Sequence, residues 1–295
     1  MSASEPGARI YDVGYRSYDG PRRAPWWAVV TVALHAIQRV LGLRRSFRHK
    51  VLPGLAIVIA FLPAVVSLAL AVVLNQDLSE DDGLITYGDY YFFIASAIAL
   101  FAAFVAPEAL CTDRRTGMLG LYLSGPLDRA RYLLAKAAAV VAVMLLMTLA
   151  PPLFLLAAYV VEGLGPTASE LPGLALRIVA TGLAVAVLFG AVGLGVASLT
   201  TRKAVAGVAM VLVVLVPGIV TEVAIESSGA PDVLSLAGLL NLPTELALRV
   251  FGEDPSEGNA IGRVSTALVV VGVAAWTALG AVVTWLSYRR IEARQ

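Results

Sequence analysis

Cysteine and histidine are almost missing from this sequence, and charge is scarce. A single cysteine, Cys111, excludes an internal disulfide and, with no histidine near it in sequence, reads as a structural thiol. Two histidines, His35 and His49, do not make a metal site. The three lysines, Lys50, Lys136 and Lys203, lack the preceding glycine-rich loop and the following Ser or Thr of a phosphate-binding loop, so ATP hydrolysis has no home in this chain. Catalytic Ser-His-Asp, His-Glu-x-x-His and Cys-x-x-Cys signatures are absent too; an embedded enzyme would have to work with scattered residues such as Glu108 and Asp113. Gly193 and Gly195 lie in an apolar run without the third glycine or the strand-to-helix turn of a dinucleotide site, and read as close-packing residues. Charged residues make up 15% of the 295, against roughly 25% in soluble proteins.

Hydrophobic residues fill that space, at 59%, and they are grouped into runs too long for soluble helices. Six spans are expected, at about 51–74, 90–106, 132–161, 173–199, 204–221 and 264–286. Pro53 and Pro63 are expected to kink the first, Pro151 and Pro152 to bend the third, and Pro217 with Gly218 to break the fifth. The cores of the six carry no charge, so a proton or ion relay has no obvious carrier; Arg177 sits one turn inside the fourth span, and Glu222 at the edge of the fifth is the one candidate acid.

The segments between spans are sorted by charge. All but three of the 22 Lys and Arg residues fall on one side, the exceptions being Arg177, Arg249 and Arg263. Basic loops are retained in the cytoplasm, so both termini are expected there, and the basic N-terminal segment needs no nucleic acid to explain it. The opposite loops are acidic: 75–89 holds Asp77, Glu80, Asp81, Asp82 and Asp89 without the ligand alternation of a calcium loop, and 222–263 holds seven acids. That second outer loop also contains an apolar run of ten residues, 233–242, which is too short to span and reads as a re-entrant or interfacial helix pair.

Residues 1–50 form a cytoplasmic N-terminal segment with no secretory signal pattern. Within it Thr31, His35, Gln38, Gly42 and Arg45 recur at helical spacing among apolar residues, predicting an amphipathic helix over 26–45. Trp26 and Trp27 at its start and the basic cluster at its end suit a helix lying at the membrane surface. Residues 287–295 form a cytoplasmic tail.

The most informative stretch is 108–136, between the second and third spans. Glu108 opens it, followed by Asp113, Arg114, Arg115, Thr116 and Gly117, then an apolar patch, Ser124, Gly125 and Pro126, and finally Arg129 and Lys136. Pro107 with Glu108 can restart a helix after the second span, Gly117 permits a bend, and Pro126 with Asp128 starts a helix afresh. This order of acid, Arg, Thr-Gly, apolar patch, Ser-x-Pro, Arg and Lys resembles the permeases of ABC-2 type exporters. The short turn 198–203 and the Tyr-rich segment 11–22 extend the likeness, the latter resembling actinobacterial members.

The resemblance implies an all-α membrane protein of six spans, preceded by an interfacial elbow helix and carrying short re-entrant helices before the last span. It makes the 108–131 loop a coupling helix that docks on a separate ABC ATPase, with Glu108, Asp113, Arg114, Arg115, Gly117, Pro126 and Arg129 as coupling residues. Thr201, Arg202 and Lys203 form the second cytoplasmic turn. It further implies two ATPase copies, which bind ATP and Mg, and a second permease, identical or paralogous, in the cell membrane. The substrate path would lie between the permeases, lined by the first, second and fifth spans. Its apolar and aromatic lining suits an amphipathic drug or lipid. Two other readings stay open: an anchor or regulator of an ATPase that moves nothing itself, and a membrane-embedded enzyme.

Overall fold

The structure, a computed structural model, describes residues 20, 24, 26–43, 47–74, 86–123, 127–163, 165–256 and 258–292. Nearly all of the Tyr-rich segment, the acids of 75–85, the end of the expected amphipathic helix at 44–45, and Pro126 lie outside the described residues. Every regular element among the described residues is helical: α1 (Trp26–Val40), α2 (Arg48–Leu74), α3 (Tyr87–Arg115), α4 (Met118–Leu123), α5 (Arg129–Thr148), α6 (Ala150–Val161), α7 (Leu171–Ser198), α8 (Lys203–Ser228), α9 (Leu242–Phe251) and α10 (Thr266–Glu292). Short 3-10 turns at Asp232–Ala237 and Ala260–Arg263 flank α9. Six of the helices, α2, α3, α5, α7, α8 and α10, are long and apolar enough to cross a membrane.

α3 is the spine. At 29 residues it is about 43 Å long, some 10 Å more than a bilayer's hydrocarbon core requires. Its N-terminus is capped by Thr86, whose hydroxyl accepts from Asp89 N at 3.1 Å. Glu253, beyond α9, accepts from Thr86 Oγ1 at 2.6 Å and from Gly88 N at 2.9 Å, placing a carboxylate on the positive end of the helix. Around α3 pack α1, α2, α5, α7, α8 and α9.

The sequence pattern expects a restart at Pro107, but α3 runs straight through it to Arg115. Proline leaves the Ala103 carbonyl without its helical N–H. Gly207 of α8 faces that carbonyl so closely that a Cβ there would sit 3.2 Å from it, which allows a close interhelical approach where a side chain would keep the helices apart. Residues 108–115 are therefore a packed helix and not a loop.

Pro152 acts in the opposite way. It frees the Thr148 carbonyl, α5 gives way to α6 at Leu149, and Tyr91 of α3 donates its hydroxyl to that carbonyl at 2.8 Å. Thr148 in turn donates to the Gly182 carbonyl of α7 at 2.8 Å, so the bend is shared by three helices. Pro217 does not break α8, which continues to Ser228 and ends on Gly229 at φ +63°.

The acidic segment between α8 and α10 folds into a small cap. Inside it Glu245 and Arg249 form a buried ion pair one turn apart in α9, and Arg249 also donates to the Val264 carbonyl at 2.8 Å. Arg263 grips Asp232 at 2.7 Å and holds its carboxyl below the usual carboxylate range. Arg177 of α7 donates to the Phe251 carbonyl at 2.9 Å, and Trp276 of α10 to the Leu236 carbonyl at 3.1 Å, fastening the cap to two spans.

Lipid is as apolar as a leucine side chain, so the spans associate through close packing. α7 and α10 meet at Gly195 and Gly280, where a Cβ on Gly280 would lie 2.4 Å from the Ala191 carbonyl. Gly280→Val should cost about 1–3 kcal/mol through overpacking and lower the melting temperature of the purified chain in detergent. Gly54→Ala, at an exposed α2 site with nothing within 4 Å, should leave it unchanged or raise it. Equal melting temperatures for Gly280→Val and the parent would show that this contact does not hold the bundle.

Candidate functional site

At the end of the bundle that carries the basic turns, the C-terminus of α3, α4, the start of α5, α1 and the turn from α7 to α8 come together. The organising group is Asp113, whose side chain is fully buried. Arg39 of α1 donates to its Oδ1 at 2.6 Å, Lys136 of α5 reaches Oδ2 at 2.6 Å, and Tyr132 donates to Oδ2 at 2.9 Å. Arg39 also donates to the Ala109 carbonyl at 3.0 Å. The Lys136 ammonium lies 5.8 Å from the centre of the Tyr122 ring and 5.5 Å from that of Tyr132, so aromatic faces share its charge with the carboxylate.

A second set of contacts joins α3 to the α7–α8 turn. Glu108 pairs with Lys203 at the start of α8. Arg114 donates to the Ser198 carbonyl and, at 3.4 Å, to that of Thr200, supplying donors to carbonyls at the C-terminus of α7. Cys111 lies buried with Sγ 3.5 Å from Ala197 O and 3.4 Å from Thr200 O, a structural thiol. The two turns expected to act together are thus bolted to one another from behind.

What remains at the surface is narrower than the sequence suggests. Arg115, Thr116, Gly117, Met118 and Gly120 are exposed, as are Thr201 and Arg202, while Arg129 is partly so. Gly117 sits at φ +72° with open space around it, forming the sharp bend between α3 and α4 that an L side chain would strain. Of the expected coupling residues, Glu108, Asp113 and Arg114 point into the protein, because α3 continues past Pro107 and turns them onto packed faces. Lys203 is drawn inward by Glu108, and Pro126 lies outside the described residues.

The Arg39, Asp113, Lys136 and Tyr132 cluster is not anticipated by the sequence reading, which treats Arg39 and Lys136 as topology charges. A signal existed: Lys136 lies inside the apolar run that begins at Tyr132, flanked by Ala135 and Ala137, and so needs a buried counter-charge within reach. α1 itself behaves as its periodicity requires, burying Val32, Ala36 and Val40 while Thr31 and His35 stay exposed. Among the described residues no group of His, Cys, Asp and Glu could hold a metal.

Residues 22–290 match the family model described as ABC-2 family transporter protein, and the chain belongs to that family. No curated protein matches the sequence. The chain is therefore a multi-pass membrane protein and the permease component of an ABC transporter, a complex in which an ATPase is the partner.

Asp113→Asn leaves the Lys136 and Arg39 cations facing a neutral group in a buried site, a loss of about 3–5 kcal/mol that thermal unfolding of the purified chain should register. Lys136→Met should cost less in the Asp113→Asn background than in the parent, because its partner charge is already gone. Equal costs in both backgrounds would show that the two residues do not act as a pair. Arg115→Glu, at an exposed position, should leave the melting temperature unchanged.

Proposed function

We propose that this permease works in an ATP-driven exporter that moves an amphipathic, drug-like or lipid-like substrate out of the cell, as one of two permeases, identical or paralogous, joined to two copies of an ABC ATPase. ATP and Mg bind to those ATPase copies. The chain sits in the plasma membrane with both termini in the cytoplasm. Residues 1–50 form the N-terminal segment, 51–286 the membrane domain and 287–295 the tail, with 222–263 facing outward and α1 lying at the inner surface as an elbow helix.

One observation carries this reading: the strip Arg115–Gly120 and the turn at Thr201 and Arg202 are both exposed, and the segments that bear them are locked together by Arg114, Cys111 and Glu108. Such a surface is charged, bent and apolar by turns, with its catalytically useful carboxylates buried. It suits docking and force transfer. Coupling contacts are carried by Arg115, Gly117, Arg129, Thr201 and Arg202, whereas Glu108, Asp113, Arg114 and Lys203 keep that surface rigid. The substrate preference rests on α2 and α8, whose exposed faces carry no charge between Leu55 and Leu70 on one and between Val205 and Val220 on the other. An ion would find no ligand there, while an amphiphile would find apolar area.

Orientation is tested with single cysteines in a Cys111→Ser background: Asp254→Cys should react with an impermeant thiol reagent on intact cells and Arg202→Cys should not. Labelling at Arg202 would reverse the topology. Coupling is tested with Arg115→Glu combined with Arg202→Glu, which should weaken docking by about 2–5 kcal/mol if one of the pairs is buried at the ATPase. The expected result is a folded permease that co-purifies poorly with its ATPase and no longer links hydrolysis to export in proteoliposomes, with recovery by Lys at both positions. Parental export by the charge-reversed protein would remove the coupling assignment.

A further inference from the structure

α5 and α10 each pack on α7 and leave between them an open groove with a volume of about 390 Å³, within the range of small-molecule sites. Its walls are Ala137 and Val141 of α5, Gly190 and Leu194 of α7, and Ala281 and Trp285 of α10. Gly190 deepens it, since a Cβ there would already stand 3.3 Å from Val141 Cγ2. The polar atoms at its margin are spent. Lys136 is committed to Asp113, and Thr277 and Thr284 donate to the carbonyls of Val273 and Gly280 in their own helix, each at 2.8 Å. Apart from the Trp285 indole at its mouth, an occupant of the groove is therefore met by hydrocarbon.

The three helices place this groove at the same depth. Ala137 lies two turns from the start of α5, Leu194 one turn from the end of α7, and Trp285 near the end of α10, so the groove opens toward the end that carries Asp113. There the chemistry changes abruptly. Trp285 is 42% exposed, Arg289 stands one turn beyond it on the same helix face, and Arg290 follows. Both arginines are exposed and have no acidic partner among the described residues. Arg131, at the start of α5, is held by Asp128 at 3.7 Å, with both side chains about half exposed, a weak pair.

We propose that the groove binds one acyl chain of an anionic phospholipid whose phosphate is held by Arg289 and Arg290. An apolar trench that faces the bilayer, ends at a tryptophan and meets two exposed arginines at headgroup depth complements a molecule with a long hydrocarbon tail and a negative head. A zwitterionic lipid fits the trench, but its headgroup cation offsets the phosphate that the arginines would hold; a soluble anion fits the arginines and not the trench. The site lies on α5, α7 and α10, away from the α2 and α8 faces of the proposed transport path. It requires a membrane and no ATPase, so its failure and the failure of the exporter reading are separate results.

Trp285 provides the probe. The purified chain is placed in nanodiscs of phosphatidylcholine containing an increasing mole fraction of either phosphatidylglycerol or phosphatidylcholine brominated on its acyl chain, and the quenching that disappears in Trp285→Phe is measured against that fraction. Brominated phosphatidylglycerol should quench at roughly thirtyfold lower mole fraction than brominated phosphatidylcholine, the scale set by two arginines at a membrane surface. Arg289→Gln with Arg290→Gln should abolish that preference, and Lys at both positions should keep it. Ala281→Phe, which fills the groove from an exposed position, should reduce quenching by both lipids. Equal quenching by the two lipids in the parent would mean unselective annular contact and overturn the proposal. So would a preference that survives the double Gln change, or phosphatidylglycerol quenching untouched by Ala281→Phe. Protection of Trp285 from both lipids in the parent would mean that another protein segment or a second copy fills the groove, which also overturns it.

Discussion

One buried carboxylate, Asp113, decides how the end of this bundle is built. It has three donors, each from a residue on a different turn of chain: Arg39 on α1, Lys136 and Tyr132 on α5. Burying two cations with one anion is expensive, and replacing such a cluster by apolar residues often stabilises a protein. Its value lies in register. A carboxylate that must satisfy three directional donors leaves α1, α3 and α5 one relative arrangement, where apolar side chains would tolerate sliding. Arg39 is still 18% exposed and the Lys136 ammonium is shielded by two tyrosine rings, which is how the second positive charge is accommodated. Everything exposed at this end, from Arg115 to Gly120, is mounted on that fixed frame.

Along the rest of the bundle the same economy is achieved without charge. Proline removes a helical N–H, and the two carbonyls freed as described above fare differently: that of Thr148 accepts from the Tyr91 hydroxyl, while that of Ala103 lies against the bare face of Gly207. In hydrocarbon an unmet carbonyl costs several kcal/mol, so the Tyr91 contact is a requirement of the medium. The two settings also explain why Pro107 leaves α3 intact while Pro152 accompanies a break. At Pro107 a glycine lets the neighbouring helix press close, whereas at Pro152 two adjacent prolines remove consecutive bonds and the chain yields at Leu149.

Six spans, their order and the position of the cap were readable, because apolar run length and charge segregation are forced by the bilayer and appear directly in composition. The amphipathic stripe from Thr31 to Gln38 was equally plain, since period alone decides which face of an amphipathic helix is buried. The site was legible only as a segment. Glu108, Asp113 and Arg114 read as exposed loop charges because a proline before an acid is an ordinary helix start; that α3 passes through Pro107 depends on Gly207, a hundred residues away and invisible to local pattern. The Glu245–Arg249 pair was hidden for a similar reason. Spacing of four residues predicts that they meet, but burial comes from the α9 contacts with α3 and α10.

α3 has consequences for function that follow from its two ends. Its N-terminus is fixed to the cap by Glu253, through Thr86 and Gly88, and its C-terminus to the α7–α8 turn by Arg114 and Cys111. Between them lie 29 residues of unbroken helix. α3 continues as one helix through Pro107, where only the bond to the Ala103 carbonyl is lost, so a displacement imposed at Arg115 is carried to Thr86 along a single element. Had the chain broken at Pro107, as local pattern suggests, a push on the exposed strip would dissipate in a hinge before reaching the membrane. Under the exporter reading, the proline that looks like a helix stop sits in the shaft of the lever, and the glycine opposite it on α8 lets the shaft run straight.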